Sequence, residues 1–368
     1  MMKKYLVTIL LLVASVGVFG QSIWEGYEHL FTPARHYVVY KAKSPIVIDG
    51  KADERSWVKA EWSADFADIE GDKKPLPLHE TRLKMLWDEN YLYIFVELEE
   101  PHVWAYYNER DLIVYHENDF EVFIDPDGNA HDYFEFEVNA ANTLFDLFMP
   151  KSYRNGGRPF VIYDALGFES QVSIEGTLNK PDDVDQKWSV EMKIPFADLR
   201  TGVTTDVPTE GKQWRINFSR VQWQTKLVDG KYTRLVDEST GRLVPEYNWV
   251  WSPQGIISMH APERYGFIQF TEKAAGSRKV DFLPEVDQLL VDYTWLIYYK
   301  QKTFKQKHGR YASSPEELGL KAELPDGKSG TAKVEVWSTV HQFSAKVTGS
   351  KGQSFFVNDN GLFQRKNP

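Results

Sequence analysis

Three observations predict a mainly β protein: an antiparallel β-sandwich followed by a small α+β domain at the C-terminus. Period-two apolar runs recur between residues 46 and 270, separated by turns rich in Gly, Pro, Asp and Asn. Helical periodicity is almost missing from the same stretch. After Phe270 the pattern changes, first to a polar linker and then to helical spacing. The composition suits such a chain: 42% of the 368 residues are hydrophobic, enough for a real core, and 14% are aromatic, a share that fits β-rich proteins and sugar binders.

The chain is organised around residues 115–148. Phe120, Val122 and Ile124 alternate with Glu121, Phe123 and Asp125. The DPDGN turn follows, and then Phe134, Phe136 and Val138 alternate with Tyr133, Glu135 and Glu137. Two alternating runs around a Pro/Gly/Asn turn make a β-hairpin with one apolar face toward a core. The opposite face carries Glu121, Glu135, Glu137 and Tyr133. Such a face is ordinarily solvated, as half-exposed strands are; the other reading is the floor of a polar site.

The remaining elements fall in order. Residues 21–44 read as an irregular lead-in. Ile46 to Trp57 (IVIDGKADERSW) gives a short strand, a turn at Asp49-Gly50 and a short helical piece, with Trp57 over one end of the core. Thr81 to Glu100 is a second hairpin turning at Asp88-Glu89-Asn90, with Leu92, Ile94, Val96 and Leu98 on one face. Residues 101–118 form a loop into the central hairpin. Strands follow at Phe168 to Glu175, Lys187 to Leu199 and Gln213 to Trp223. A long loop then leads to NWVWSPQG, and Gly266 to Phe270 closes the domain.

Residues 273–282 read as a linker, and 283–368 as a separate α+β extension. Val286, Leu289, Leu290, Tyr293, Leu296, Ile297 and Phe304 follow helical spacing, and Gly309 ends the helix. Ser314-Pro315-Glu316-Glu317 predicts a second, short helix, and three strands follow it. From the long helix to GRYASSPEELG this part resembles the globular ends of pilin-like proteins, without the apolar stalk. It is assigned no activity and no partner.

Residues 1–20 read as a signal peptide. Lys3 and Lys4 precede an apolar run from Leu6 to Phe19, and cleavage before Gln21 is expected. There is no Cys, so no disulfide and no lipid-modified Cys. The expectation is a secreted or periplasmic protein that does not span a membrane once the signal is removed. The net charge of −10 argues against nucleic acid or an anionic membrane surface as partner.

The blocks IVIDGKADERSW, TRLKMLWDENYLYIFVELEEPHVWA, NDFEVFIDPDG and WSVEMKIPFADL, in that order, resemble the family 9 carbohydrate-binding module. With EFEVNAANTLFDL, INFSRVQW, NWVWSPQG and MHAPERYGFIQF added, residues 40–271 resemble the secreted carbohydrate-binding family 9-like proteins. The resemblance implies a jelly-roll-like sandwich, sugar recognition by aromatic side chains and, in some members, structural calcium. No cofactor beyond that is expected.

A sugar ring offers C–H faces to aromatic rings and hydroxyls to forked or paired polar groups. Loop aromatics are therefore the candidates: Trp104, with Arg110, Glu117 and Asn118 behind it, and Trp223, Trp249 and Trp251, near Asn217 and Arg220. The expected ligand is a glycan end or short oligosaccharide. The bland alternative is that each loop Trp is a lid on the sandwich edge. Two other classes stay open: a structural or assembly component of a glycan-processing system, and a glycoside-active enzyme using Glu121, Glu135 and Glu137. Asp125, Asp127 and Asn129 alternate as in a calcium loop, but Gly128 is out of place and a plain turn is the better reading. Asp182, Asp183 and Asp185 form another acidic loop and also read better as a plain turn. Without Cys or HExxH, zinc is not expected.

Overall fold

A computed structural model describes residues 22–200 and 207–368. The expected signal peptide and its cleavage point lie outside the described residues. The β body contains, in chain order, β1 (His36–Lys41), α1 (Arg55–Lys59), β2 (Ala67–Asp68), β3 (Thr81–Trp87), β4 (Tyr91–Glu99), β5 (Asp119–Asp125), β6 (His131–Asn139), β7 (Leu144–Lys151), β8 (Glu169–Glu175), β9 (Lys187–Pro195), β10 (Gln213–Gln222), β11 (Thr225–Val228), β12 (Lys231–Arg234), β13 (Tyr247–Val250) and β14 (Gly266–Ala274). Hydrogen bonding runs β7-β6-β5-β10-β14-β1-β3-β4-β9-β8, with β13 beside β10 and β2 beside β13. The path curls until its two halves face each other across one core, as a sandwich does.

That core is made by the in-phase residues of both halves. Phe120, Val122, Ile124, Phe134, Phe136 and Val138 come from one half, and Leu92, Ile94, Val96, Leu98, Val190 and Met192 from the other. The central hairpin has the register its alternation implies, with Glu121 opposite Glu137 and Phe123 opposite Glu135. The lead-in is not irregular throughout: its β1 lies parallel to β14 and closes the path against β3. The long loop before residue 247 carries the β11–β12 hairpin, and NWVWSPQG begins as β13.

The outer faces are not left to water. Trp57, Leu86, Tyr93 and Phe95 form a second cluster outside the β3–β4 hairpin, and Glu191 receives the Trp57 Nε1–H and the backbone N–H groups of Asp49 and Gly50 there. Val114, Tyr133, Phe145, Leu147 and Met149 cover part of the outer face of β6 and β7. The expectation that this hairpin face is solvated is therefore corrected.

The C-terminal domain packs α2 (Gln288–His308) on the antiparallel sheet β15 (Glu323–Pro325), β16 (Thr331–Ser338), β17 (Phe343–Thr348), β18 (Ser354–Asn358) and β19 (Phe363–Lys366). Gly309 ends α2 at φ 72°, donating to the Lys305 carbonyl, a left-handed conformation that glycine adopts without a Cβ clash. The expected second helix is only a 3₁₀ turn, Glu316–Leu318. Trp24 stacks on Tyr293 of α2, and Tyr27 donates to Thr303, so the residues just before β1 serve the C-terminal core. A polar seam joins the two domains. Arg154 donates to Glu263 at 2.7 Å, Tyr299 to the same carboxylate at 2.6 Å, and Tyr298 to Asn155 at 2.8 Å.

Candidate functional site

The loop 101–118 and the β11–β12 hairpin meet at one end of the sandwich. There Trp104, Val221, Trp223 and Tyr232 form one buried cluster. Trp104 and Trp223, widely separated in sequence, are thus brought together. Their faces are already engaged: Tyr232 stacks on Trp104, and the Arg234 guanidinium lies 4.7 Å from the Trp223 ring centre. Trp223 donates its ring N–H to the Tyr115 carbonyl, and Tyr106 accepts the Tyr232 N–H. Among the aromatic side chains of this loop and hairpin, Tyr106 (36%) and Tyr115 (40%) are left exposed.

The polar candidates mostly serve the fold. Glu117 accepts from the N–H groups of Tyr106 and Tyr107 and from the Asn139 amide, which fixes the loop backbone. Asn118 donates to Glu100 and accepts from the Trp223 N–H. Arg220 is buried in the same network, donating to Glu100, Thr81 and Gln222. Burial, only partly offset by Glu100, lowers the Arg220 pKa to about 10. Asn217 is fastened to Ser252 by two hydrogen bonds. Trp249 and Trp251 are not loop residues at a mouth but members of the main core, because β13 turns Trp249 inward beside β10 and Trp251, just after it, donates its N–H to the Phe218 carbonyl. Arg110 alone among the polar candidates is substantially exposed; it bridges Asp146 at 2.6 Å and Asp164 at 3.2 Å, with Asp111 at 3.7 Å.

A second constellation lies on the outer face of the central hairpin. Asp119, Glu121, Glu135 and Glu137 are all less than 5% exposed. Carboxyl oxygens of Asp119, Glu121 and Glu137 lie within 4.8 Å of one another. Glu137 accepts the Tyr115 N–H, while Asp119 stands against the Val221 N–H, Glu121 against the Ser219 hydroxyl and Glu135 against Glu137 without reaching good hydrogen-bond geometry. Burial, together with the neighbouring carboxylates, pushes Asp119, Glu135 and Glu137 well above the ordinary range; burial pushes Glu121 up to about 7. Among the described residues no Lys or Arg pairs with any of the four. The nearest base, His260, stands 3.8 Å from Glu135 and hydrogen-bonds Tyr133, and burial with Arg154 nearby holds it neutral, at about 3. Tyr153, 46% exposed, and Tyr115 border this face, and the charges of Glu135 and Glu137 help raise the Tyr153 hydroxyl to about 12.

The sequence flagged Glu121, Glu135, Glu137 and Tyr133 through their shared phase. Asp119 has the same phase, two residues earlier, and Ser219 lies directly across from Glu121 on β10. Tyr115, Tyr153 and His260 reach this region only through tertiary packing. The 125–130 segment behaves as a turn, with Asp125 accepting the N–H groups of Gly128 and Ala130, whereas Asp185 is a buried tie between segments, accepting from the Val103 and Thr177 N–H groups. A cavity of about 1060 Å³ also opens between the β body and α2, lined by Arg35, Arg215, Trp251, Arg264, Asp292 and Trp295 among others.

Residues 48–242 match the family model described as carbohydrate family 9 binding domain-like. Among solved structures, a candidate carbohydrate-binding protein of Bacteroides uniformis aligns at 18% identity and a TM-score of 0.47, covering 65% of this chain and 100% of that one. A family 9 carbohydrate-binding module of Caldicellulosiruptor kristjanssonii, in complex with glucose, aligns at 17% identity and a TM-score of 0.38, covering 67% of this chain and 100% of its own. The same module in complex with cellotriose aligns at 16% identity, a TM-score of 0.38 and the same coverage. No curated protein matches the chain.

Proposed function

This chain belongs to the carbohydrate family 9 binding domain-like family, and from that premise we propose that it is an exported, non-catalytic protein that binds a glycan end or short oligosaccharide. The ligand is placed where the loop 101–118 meets the β11–β12 hairpin. The observation that carries this reading is the convergence of Trp104 and Trp223 in one cluster, with Tyr106 and Tyr115 exposed at its rim. A sugar needs an aromatic face and a few fixed polar groups. The exposed tyrosines offer faces, Arg110 and Arg234 offer forked donors, and Trp104 and Trp223 hold the platform from beneath. Glu117, Asn118 and Arg220 act through the backbone they fix, and Asn217, Trp249 and Trp251 support the strands behind.

The non-catalytic reading rests on burial. Glycoside hydrolysis requires two carboxyl groups reaching the scissile bond from the site, whereas Glu121, Glu135 and Glu137 are closed off from solvent. Export rests on the charged and apolar N-terminal segment; in addition, among the described residues no helix is long and apolar enough to cross a membrane. Mass spectrometry of the exported protein is expected to give an N-terminus near Gln21.

The test is a glycan array followed by calorimetry on the best ligand, with Tyr106→Ala, Tyr115→Ala, Trp104→Ala and Trp223→Ala. The tyrosine variants are expected to lose most binding while keeping their melting temperature. The tryptophan variants should lose both. Unchanged affinity in both tyrosine variants would remove the ligand from this end of the sandwich.

A further inference from the structure

Two arginines are buried outright among the described residues, Arg220 and Arg264, and their surroundings differ. Arg220 donates to the Glu100 carboxylate, so its charge is answered within the chain. Arg264, 8% exposed, forms no ion pair among the described residues and is engaged with neutral oxygens instead. Its Nε donates to the Gln254 carbonyl at 3.1 Å, and one Nη donates to the Thr32 carbonyl and hydroxyl at 2.9 and 3.1 Å. Arg215 lines the same cavity between the β body and α2. It donates to the Tyr265 carbonyl at 2.8 Å and lies over the Phe267 ring, 4.1 Å from its centre, again without an ion pair among the described residues. Burial, with the Arg264 charge nearby, lowers the Arg215 pKa to about 10. Two guanidinium groups drawn together away from water cost stability unless an anion joins them.

The acids of the cavity do not supply that anion. Glu263 is held by Arg154 and Tyr299, and Glu285 by Arg365. Glu61 and Asp281 are exposed. Asp292 accepts the Gln288 amide at 2.8 Å, pairs with neither arginine, and is raised by burial in spite of both. A planar guanidinium presents two parallel N–H donors, the pattern that matches a carboxylate. The cavity, about 1060 Å³, has the size of one that takes a whole small molecule rather than a bare ion. Phe267, Phe282 and Trp295 in its lining suit an organic body. The linker is fastened along it: Gln213 donates to the Leu283 carbonyl, and Gln269 donates to the Asp281 carbonyl and accepts the Leu283 N–H.

We propose that this cavity is a second ligand site that takes an organic carboxylate, held between Arg215 and Arg264 with its body toward Phe267, Phe282 and Trp295. The site is separate from the sandwich end and stands whether or not a glycan binds there. Most of its lining lies outside residues 48–242, so it is a property of this chain's two-domain assembly rather than of the family domain. A bound ligand would tie β10 and β14 to the linker and α2.

A ring-borne carboxylate comes from an acidic sugar or from an aromatic acid, and the probes separate the two. Calorimetry on the full chain at low ionic strength uses D-glucuronate and digalacturonate beside D-glucose, and benzoate and phenylacetate beside benzyl alcohol. One acid class is expected to bind at one site per chain, at least about ten-fold tighter than its uncharged counterpart. It should also raise the melting temperature and slow protease cleavage between residues 273 and 282. Arg215→Gln should weaken the acid at least about ten-fold, and Asp292→Asn, which removes a like charge, should tighten it about three-fold. Arg310→Gln, at an exposed arginine paired with Glu317, should leave it unchanged. If Arg215→Gln does not fold, a crystal structure of the wild-type protein with the tightest probe replaces it, with the carboxylate expected between Arg215 and Arg264. Four results would overturn the proposal: no binding of any of the four acids at millimolar concentration; equal binding of acids and uncharged counterparts; affinity unchanged in Arg215→Gln; or a probe carboxylate bound away from Arg215 and Arg264.

Discussion

Glu263 and the carboxylates of the central hairpin are equally buried, yet their surroundings are opposite. Burial alone would push Glu263 up, but Arg154 beside it and the Tyr299 hydroxyl outweigh burial, and its pKa is lowered. At the hairpin, burial acts together with neighbouring carboxylates, and every group moves up. The seam between the domains is thus a finished ion pair, whereas the hairpin acids pair with no Lys or Arg among the described residues. Partner, not burial, decides whether a buried acid is a structural strut or a place for something else.

The largest expected effect tests whether the hairpin's two faces are equally internal. Phe134→Ala on the core face and Phe123→Ala on the outer face should each cost about 3–5 kcal/mol in chemical unfolding, since both rings are buried and Phe123 packs on His260 and Tyr265. A small loss at Phe123 alone would mean the outer layer is loosely held.

Next is Arg154→Ala, which strands Glu263 without its cation. A loss of about 3 kcal/mol is expected, together with faster protease cleavage between residues 273 and 282. The seam also gives a pH signature. A carboxylate with a lowered folded pKa contributes fully above its unfolded value, near 4.5, and loses that contribution as pH falls through the folded value. Docking of the C-terminal domain, followed by the same cleavage, should therefore weaken only in acid below that point; loosening on raising the pH from about 5 to about 8 would contradict the pairing.

At the hairpin face the sign reverses. Glu135→Gln puts a neutral isostere where burial and Glu121 hold the acid well above the ordinary range, so near neutral pH the cost of keeping it protonated disappears and the melting temperature should rise, by about 1 kcal/mol of stability. A loss there of the size seen with Arg154→Ala would show that Glu135 has a counter-charge after all. The smallest effect is expected at Arg110→Ala, where a guanidinium 42% exposed serves buried Asp146 together with exposed Asp164. Solvent screening should hold the cost to about 1 kcal/mol or less.

The alternation in 120–124 and 134–138 determined the hairpin, its register and its core face, because side-chain period and strand geometry are the same fact. The blocks from residue 46 to 270 likewise determined a sandwich and a family, and helical spacing after residue 283 determined α2. Local sequence could not say what covers a strand's second face. Glu121, Glu135 and Glu137 look like solvated residues until Val114, Tyr153 and His260 are laid over them from distant segments. Nor could it separate Trp104 and Trp223, which meet at the sandwich end, from Trp249 and Trp251, which lie in the core on β13 and just after it. The lead-in shows the same limit, since residues 22–31 find their apolar partners on α2, more than 250 residues away. Periodicity reports which side of an element is apolar. Only the tertiary structure decides what stands on the other side, because burial and charge pairing depend on groups that are neighbours in space and strangers in sequence.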